Sequence, residues 1–192
     1  MPMSDCRSVN ADECSPMNEG AAPIELRLLC AADLDAYKAL RDDMLAAHPE
    51  AFTSDAETER ARTPQSYLPR LGCGAADDAQ FVLGAWQHGA LVGAIGSDRD
   101  GRLKVRHIAQ LIGMMLRPEL RGTGVAARLL DRCIGLLRAT DGIEMLTLTV
   151  TQGNTPAVRL YERAGFTPCG RVPRAIRVGD SYHAKDQMVL ML

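Results

Sequence analysis

Aromatic side chains are scarce in this chain: three Phe, four Tyr and one Trp make up 4% of its 192 residues. A core must therefore come from aliphatic side chains, within one domain of ordinary size. No basic excess exists either, since 22 Lys and Arg stand against 24 Asp and Glu for a net charge of -2. That balance argues against a dedicated nucleic-acid or anionic-membrane binder. No apolar run approaches the ~18–20 residues of a membrane span. The first residues carry Asp5, Asp12 and Glu13 and no apolar stretch, so they do not read as a signal peptide. Six cysteines (6, 14, 30, 73, 133, 169) are scattered, with no Cys-x-x-Cys and no neighbouring His pair. No metal site is expected from them, and free thiols in a cytoplasmic protein are the simplest reading.

What is present is 46% hydrophobic and 24% charged residues, the balance of a globular protein. Residues 1–22 are small and polar, with one Arg and four acids, and lack periodicity. They are expected to form a disordered leader, with a single domain over 23–192. Ile24 to Leu28 alternates as a first strand, and Asp33 can cap a helix carrying Leu34, Tyr37, Leu40, Met44 and Leu45 at helical spacing. Pro49 ends that helix, and a more polar helix is expected over about 55–70 despite Pro64, followed by a loop from Gly72 to Asp78.

Gln80 to Trp86 and Leu91 to Ser97 read as a hairpin turning at residues 87–90. Val105 to Leu116 is a long apolar strand in which Gly113 marks a bulge. A helix opening at Gly122 carries Val125, Ala126, Leu129, Leu130, Cys133, Ile134 and Leu137 to about residue 139. Met145 to Thr151 is the next strand. A short helix follows over 156–164, with Thr155 as N-cap and Gly165 beyond its end. Phe166 to Val178 and Tyr182 to Leu192 close the chain as an antiparallel pair turning at Gly179-Asp180. This order predicts an α/β (α+β) fold: a mixed, largely antiparallel sheet with helices on both faces.

The chemistry concentrates in Met114 to Ala126, where a buried strand turns into a helix whose first turn is nearly bare of side chains. The leading amides of such a helix lack intrahelical acceptors and carry partial positive charge, which suits a phosphate or pyrophosphate. Gly122 and Gly124 allow close approach, Ala126 keeps it open and Arg121 adds a formal charge. A Rossmann site would want an acid after the following strand, and none is there; a P-loop would want Gly-Lys-Ser/Thr, which is absent.

Arg121-x-x-Gly124-x-Ala126 resembles the Gln/Arg-x-x-Gly-x-Gly/Ala signature of the GCN5-related N-acetyltransferase (GNAT) family. Asn154, followed by Leu160-Tyr161-Glu162 and Gly165-Phe166, resembles that family's second cofactor motif. The likeness covers about residues 24–192. It implies acetyl-CoA as cosubstrate and an amine-bearing acceptor; the composition adds the expectation of no metal, nucleic acid or membrane partner, and a homodimer stays open. It further implies that Met114, Met115 and Leu116 contact the pantetheine arm through their backbone. The amides of Arg121, Gly122, Thr123, Gly124, Val125 and Ala126 would hold the pyrophosphate. Asn154 would bond the pantetheine or order the strands that admit it, and Tyr161 would protonate the departing thiolate. A core-packing Tyr161 and a loop-capping Asn154 are the alternatives at those two positions.

Where the family often carries a glutamate as base, this chain has Gln110, which cannot take a proton. His107, Glu144, His183 and Asp186 are the other candidates, and the residues single out none of them. His48 to Phe52, with Arg171, Arg174 and Arg177, could line the acceptor side. A non-catalytic acyl-CoA sensor is the competing function. Deleting residues 2–21 is expected to leave the melting temperature and acetyl-CoA affinity nearly unchanged; a clear drop in melting temperature would show that the leader docks.

Overall fold

The computed structural model describes residues 23–72 and 79–192. Seven strands form one sheet in the order β1-β2-β3-β4-β5-β7-β6. They are β1 (Glu25–Leu28), β2 (Phe81–Gln87), β3 (Ala90–Arg99), β4 (Ile108–Leu116), β5 (Met145–Thr151), β6 (Thr167–Val178) and β7 (Ser181–Met191). The helices are α1 (Leu34–Ala47), α2 (Ala56–Arg60), α3 (Val125–Arg138) and α4 (Thr155–Arg163). Every strand pair is antiparallel except β4–β5. The expected mixed, largely antiparallel sheet is what the chain builds.

Aliphatic side chains form two cores, one on each face. Leu129, Leu130, Cys133 and Leu137 of α3 and Tyr161 of α4 pack with Phe81, Leu83, Ile95, Leu146 and Leu148. Tyr37, Leu40 and Met44 of α1 pack with Tyr67, Leu71, Val82, Ala94 and Met115 on the opposite face. No helix among the described residues is long and apolar enough to cross a membrane.

Several local expectations are corrected. Asp33 stands at the N-cap of α1, but its carboxylate does not cap it. It takes two hydrogen bonds from Arg27, at 2.7 and 2.8 Å, and one from the Cys30 amide. Charge-assisted bidentate bonds outcompete a single neutral cap. The polar helix over 55–70 is divided into α2 and a 3-10 segment, Pro64–Leu71, because Pro64 lacks the donor that would carry the helix through. β4 begins at Ile108 rather than Val105, which lies in a turn. The last of the loop expected from Gly72 to Asp78, residues 73–78, lies outside the described residues. α3 starts at Val125 rather than Gly122, since Gly122 and Gly124 hold φ of 78° and 83°, outside helical space. Asn154, not Thr155, caps α4, accepting from the Ala157 amide at 3.3 Å.

Between α1 and the segments that follow lies a buried polar knot. Glu59 accepts from Arg41 Nε at 2.8 Å, Tyr67 Oη at 2.6 Å and Arg62 at 3.2 Å. Burial opposes ionisation of Glu59, yet the Tyr67 and Arg41 hydrogen bonds and the Arg41 charge hold its pKa at about 2, below the ordinary 4.5. A depressed carboxylate pKa stabilises the fold above the unfolded value, and that contribution fades as pH falls from about 4.5 towards 2. Glu59→Gln is expected to lose about 3–5 kcal/mol at pH 7, because Arg41 is left buried without its counter-charge. Urea unfolding from pH 7 down to pH 2.5 checks this: the gap between the two proteins narrows only below about pH 4.5, and a gap independent of pH would contradict it.

Candidate active site

β4 and β5 pair over only three positions, Ile108 with Met145, Ala109 with Leu146 and Gln110 with Thr147. Beyond them β4 keeps its pairing to β3 through Leu116, and β5 keeps its pairing to β7 through Thr151. Residues 111–116 and 148–151 therefore border a wedge in the sheet where backbone groups on the facing edges have no strand partner. Such groups need an acceptor or donor from elsewhere, which an extended ligand with amides can provide.

A bulge in β4 shapes this wedge. Ala94 faces Met115 and Gly96 faces Ile112, so Ile95 alone opposes both Gly113 and Met114. Gly113 takes φ of 58°, the left-handed conformation that such a bulge requires. The extra residue reverses the alternation of side chains. Ala109 and Leu111 belong to the core beneath α3. After the bulge Met114 and Leu116 lean onto that core, and Met115 enters the core beneath α1. The bulge expected at Gly113 is present, and it sets where each of Met114, Met115 and Leu116 points.

At the top of the wedge the chain makes a short 3-10 turn, Pro118–Leu120, and enters α3 through Arg121 to Gly124. The first helical bond of α3 runs from the Arg128 amide to the Gly124 carbonyl at 3.1 Å, so the Val125, Ala126 and Ala127 amides have no intrahelical acceptor. Cβ atoms built on Gly122 and Gly124 would meet nothing within 4 Å. The space is open to a ligand, and no acid stands in the first turn of α3. Arg121 is exposed and reaches His48 Nε2 at 2.7 Å; Arg117 reaches Asp43 at 3.1 Å. Gly122 and Gly124, the open approach, the bare amides and Arg121 fit a pyrophosphate.

Asn154 follows the end of β5 and caps α4 with its side-chain oxygen. About two turns on, Tyr161 is 8% exposed, its ring edge-on to Phe166 at 6.0 Å. Its hydroxyl makes no hydrogen bond among the described residues and is not among their sealed, unpartnered atoms, so it reaches accessible surface. Burial pushes its pKa up to about 12. The ring thus packs the core while the oxygen stays available.

The candidate bases are not brought together. Gln110 is exposed at the apex of the wedge. His107 precedes β4, where its carbonyl accepts from the Glu144 and Met145 amides. Glu144 is exposed ahead of β5, and His183 is half-buried on β7 opposite Ile176. Asp186 is held by Arg171 at 2.5 Å, which lowers its pKa and makes it a poor base. Arg174 stacks on Tyr182 at 3.8 Å, and Arg177 pairs with Asp180 at 3.5 Å. The β6 arginines are therefore engaged on their own hairpin.

The segment after α1 is better placed than the sequence suggested. Thr151 Oγ1 donates to the Glu50 carbonyl at 2.8 Å, Lys185 Nζ donates to Thr53 Oγ1 at 3.1 Å, and Arg121 meets His48. These contacts fasten His48 to Thr53 across the wedge between α3 and the ends of β5 and β7. Sequence reading also passed over Arg41, which sits four residues after Tyr37 and three before Met44, in the apolar stripe of α1. A charged residue in such a stripe was the available signal.

The acetyltransferase (GNAT) family matches residues 37–166. Mycothiol acetyltransferase of Propionibacterium freudenreichii is 32% identical over 139 residues, 70% of this chain and 40% of that protein. Mycothiol acetyltransferase of Thermobispora bispora is 32% identical over 135 residues, 70% of this chain and 43% of that protein. The chain thus spans about two fifths of the length of these curated relatives. Among solved structures, a GNAT-family acetyltransferase from Streptococcus pneumoniae superposes with a TM-score of 0.78 at 24% identity, covering 88% of this chain and 99% of that one. The protein yncA of Salmonella typhimurium, solved with its cofactor acetyl-CoA, does so with a TM-score of 0.70 at 18% identity, covering 88% and 94%. With its fold, its bulged wedge and this match over most of its length, the chain belongs to the acetyltransferase (GNAT) family.

Proposed function

We propose that the chain is an acetyl-CoA-dependent N-acetyltransferase, moving an acetyl group by direct transfer onto the amine of a small molecule or peptide. The observation that carries this reading is the parting of β4 from β5 beside the bare amides of α3. The relatives are named for acetyl transfer, and none of the comparisons favours a silent acyl-CoA sensor. Their name makes mycothiol chemistry one acceptor class to screen. Exposed thiols at Cys30 and Cys169 fit a reducing cytoplasm.

In this reading the amides from Arg121 to Ala126 hold the pyrophosphate, with the Arg121 guanidinium released from His48. The backbone of Met114 to Leu116 bonds the pantetheine arm along the edge of β4 and polarises the thioester carbonyl. Asn154 orders the opposite rim by capping α4. Bound acetyl-CoA supplies the activated acetyl group. The acceptor enters as neutral amine, since no carboxylate on β4 is there to deprotonate it, and its nitrogen forms the new bond as the carbon–sulfur bond breaks.

Tyr161 stabilises the departing sulfur. A phenol with a pKa of about 12 is a weaker acid than a thiol near ~8.5, so a full proton transfer from Tyr161 alone runs uphill. The hydroxyl instead donates a hydrogen bond, or passes its proton to sulfur while taking the one that nitrogen must lose. In the first case coenzyme A leaves as thiolate and the proton of nitrogen passes to water; in the second that proton reaches sulfur through the tyrosine.

Acetyl-CoA at ~100 times its dissociation constant is expected to stabilise the fold by about 2.7 kcal/mol, and Gly124→Glu to remove that effect by placing an anion at the pyrophosphate. Thermal melts with acetyl-CoA, NAD and ATP decide the point, with circular dichroism confirming that the variant folds. Equal shifts for all three ligands, or an unaltered shift in the variant, would place the anion site elsewhere.

Tyr161→Phe keeps the buried ring and is expected to lower kcat by about 10²-fold or more while acetyl-CoA affinity holds. In the wild type, kcat/KM is expected to climb about tenfold per pH unit up to the pKa of the amine. Because burial raises Tyr161 to about 12, no descending limb from it appears below about pH 11. Near-normal turnover in a folded Tyr161→Phe protein would return this residue to core packing alone.

A further inference from the structure

Arg41 is only 3% exposed, yet one of its three nitrogens is uncommitted. Nε donates to Glu59 and Nη2 to Ser54 Oγ at 2.8 Å. Nη1 makes no hydrogen bond among the described residues and is not among their sealed, unpartnered nitrogens, so it meets accessible space. The place it meets is the β4 bulge: a Cβ on Gly113 would stand 3.9 Å from Nη1 and meet no other atom within 4 Å. A buried guanidinium with open N–H donors thus lies beneath the glycine that opens the wedge.

Cations outnumber carboxylates around the Tyr67 ring beside Arg41. Arg41, Arg62 and Arg70 lie 5.8, 5.2 and 5.7 Å from the Tyr67 ring centre, with Glu59 as the carboxylate in their midst. The neighbouring acids of α1 are already matched, Asp42 by Lys38 at 2.5 Å and Asp43 by Arg117 at 3.1 Å. The open N–H donors of a cationic Nη1 suit an anionic acceptor oxygen, and a carboxylate supplies one.

We propose that Arg41 Nη1 binds a carboxylate of the acceptor, making this chain an acetyltransferase for amines that carry a carboxylate, such as amino acids and peptides with a free C-terminus. The inference rests on the acetyl-transfer reading above and names the acceptor class for the same site.

The test compares acceptors in pairs, each amino acid with the amine left by removing its carboxylate, and dipeptides with their C-terminal amides. The carboxylate members are expected to win in kcat/KM by about 10-fold to 100-fold, as a charge-assisted hydrogen bond implies. Arg41→Lys keeps a charge for Glu59 but loses Nη1, and is expected to bring the ratio to about one through KM of the carboxylate acceptor. If that variant fails to fold, Arg41→Met with Glu59→Gln removes the buried pair together and gives the same ratio. A wild-type ratio near one, or a ratio unchanged in the variants, overturns the role of Arg41 while leaving acetyl transfer intact. No transfer to any acceptor, by a chain that still melts higher with acetyl-CoA, overturns the transfer reading itself.

Discussion

Two parallel strands that hydrogen-bond over three residues and then separate leave backbone amides and carbonyls facing each other across a gap. Leaving such groups unmet in a protein interior costs about 1–3 kcal/mol each, so a fold keeps the gap only where something occupies it. Nearly every feature of the site follows from this separation. The antiparallel partners on either side, β3 for β4 and β7 for β5, keep each half of the sheet rigid while the middle stays open. α3 follows β4 through one short turn and begins with three amides that have no intrahelical acceptor. α4 springs from the end of β5 and sets Tyr161 on the other rim.

The bulge at Gly113 lets one strand serve both purposes. Without the extra residue, the alternation that sends Ala109 and Leu111 towards α3 would send Met115 there too. With it, Met115 fills the core beneath α1, and the glycine faces the guanidinium of Arg41. A single inserted residue thus re-aims three side chains and leaves bare backbone beside a buried cation.

Much of this was legible in the sequence because the local signals agree with the tertiary ones. Gly113 interrupts a β-branched and aliphatic run, Gly122 and Gly124 sit where φ must be positive, and the spacing of Val125, Leu129, Cys133 and Leu137 matches a helix buried on one side. What escaped were contacts between residues far apart in the chain. Arg121 meets His48, Thr151 meets Glu50, and Lys185 meets Thr53 across separations that no periodicity encodes. Asp33 shows the same limit in miniature: its position reads as a helix cap, but a bidentate arginine from the preceding strand outbids the amide. Asn154 reads as a ligand-binding residue from the likeness and as a cap from the geometry, and its oxygen does cap α4.

The electrostatics of the site then explain how it can work with a glutamine at the apex. A carboxylate base close to Arg41 would be held in its ionised form and drained of basicity, as Glu59 is, with a pKa near 2 despite burial. Asp186 is drained in the same way by Arg171. Strong cations and a strong base cannot share so small a space, because each cation that stabilises the carboxylate lowers its affinity for a proton. Arg41 and Arg171 are each already paired with a carboxylate, so neither leaves a net positive field to drive a proton off an amine. On the acetyl-transfer reading, an acceptor that meets Gln110 at the apex and no carboxylate on β4 has to arrive as its neutral amine, and its rate follows the fraction of neutral amine that the solution pH supplies.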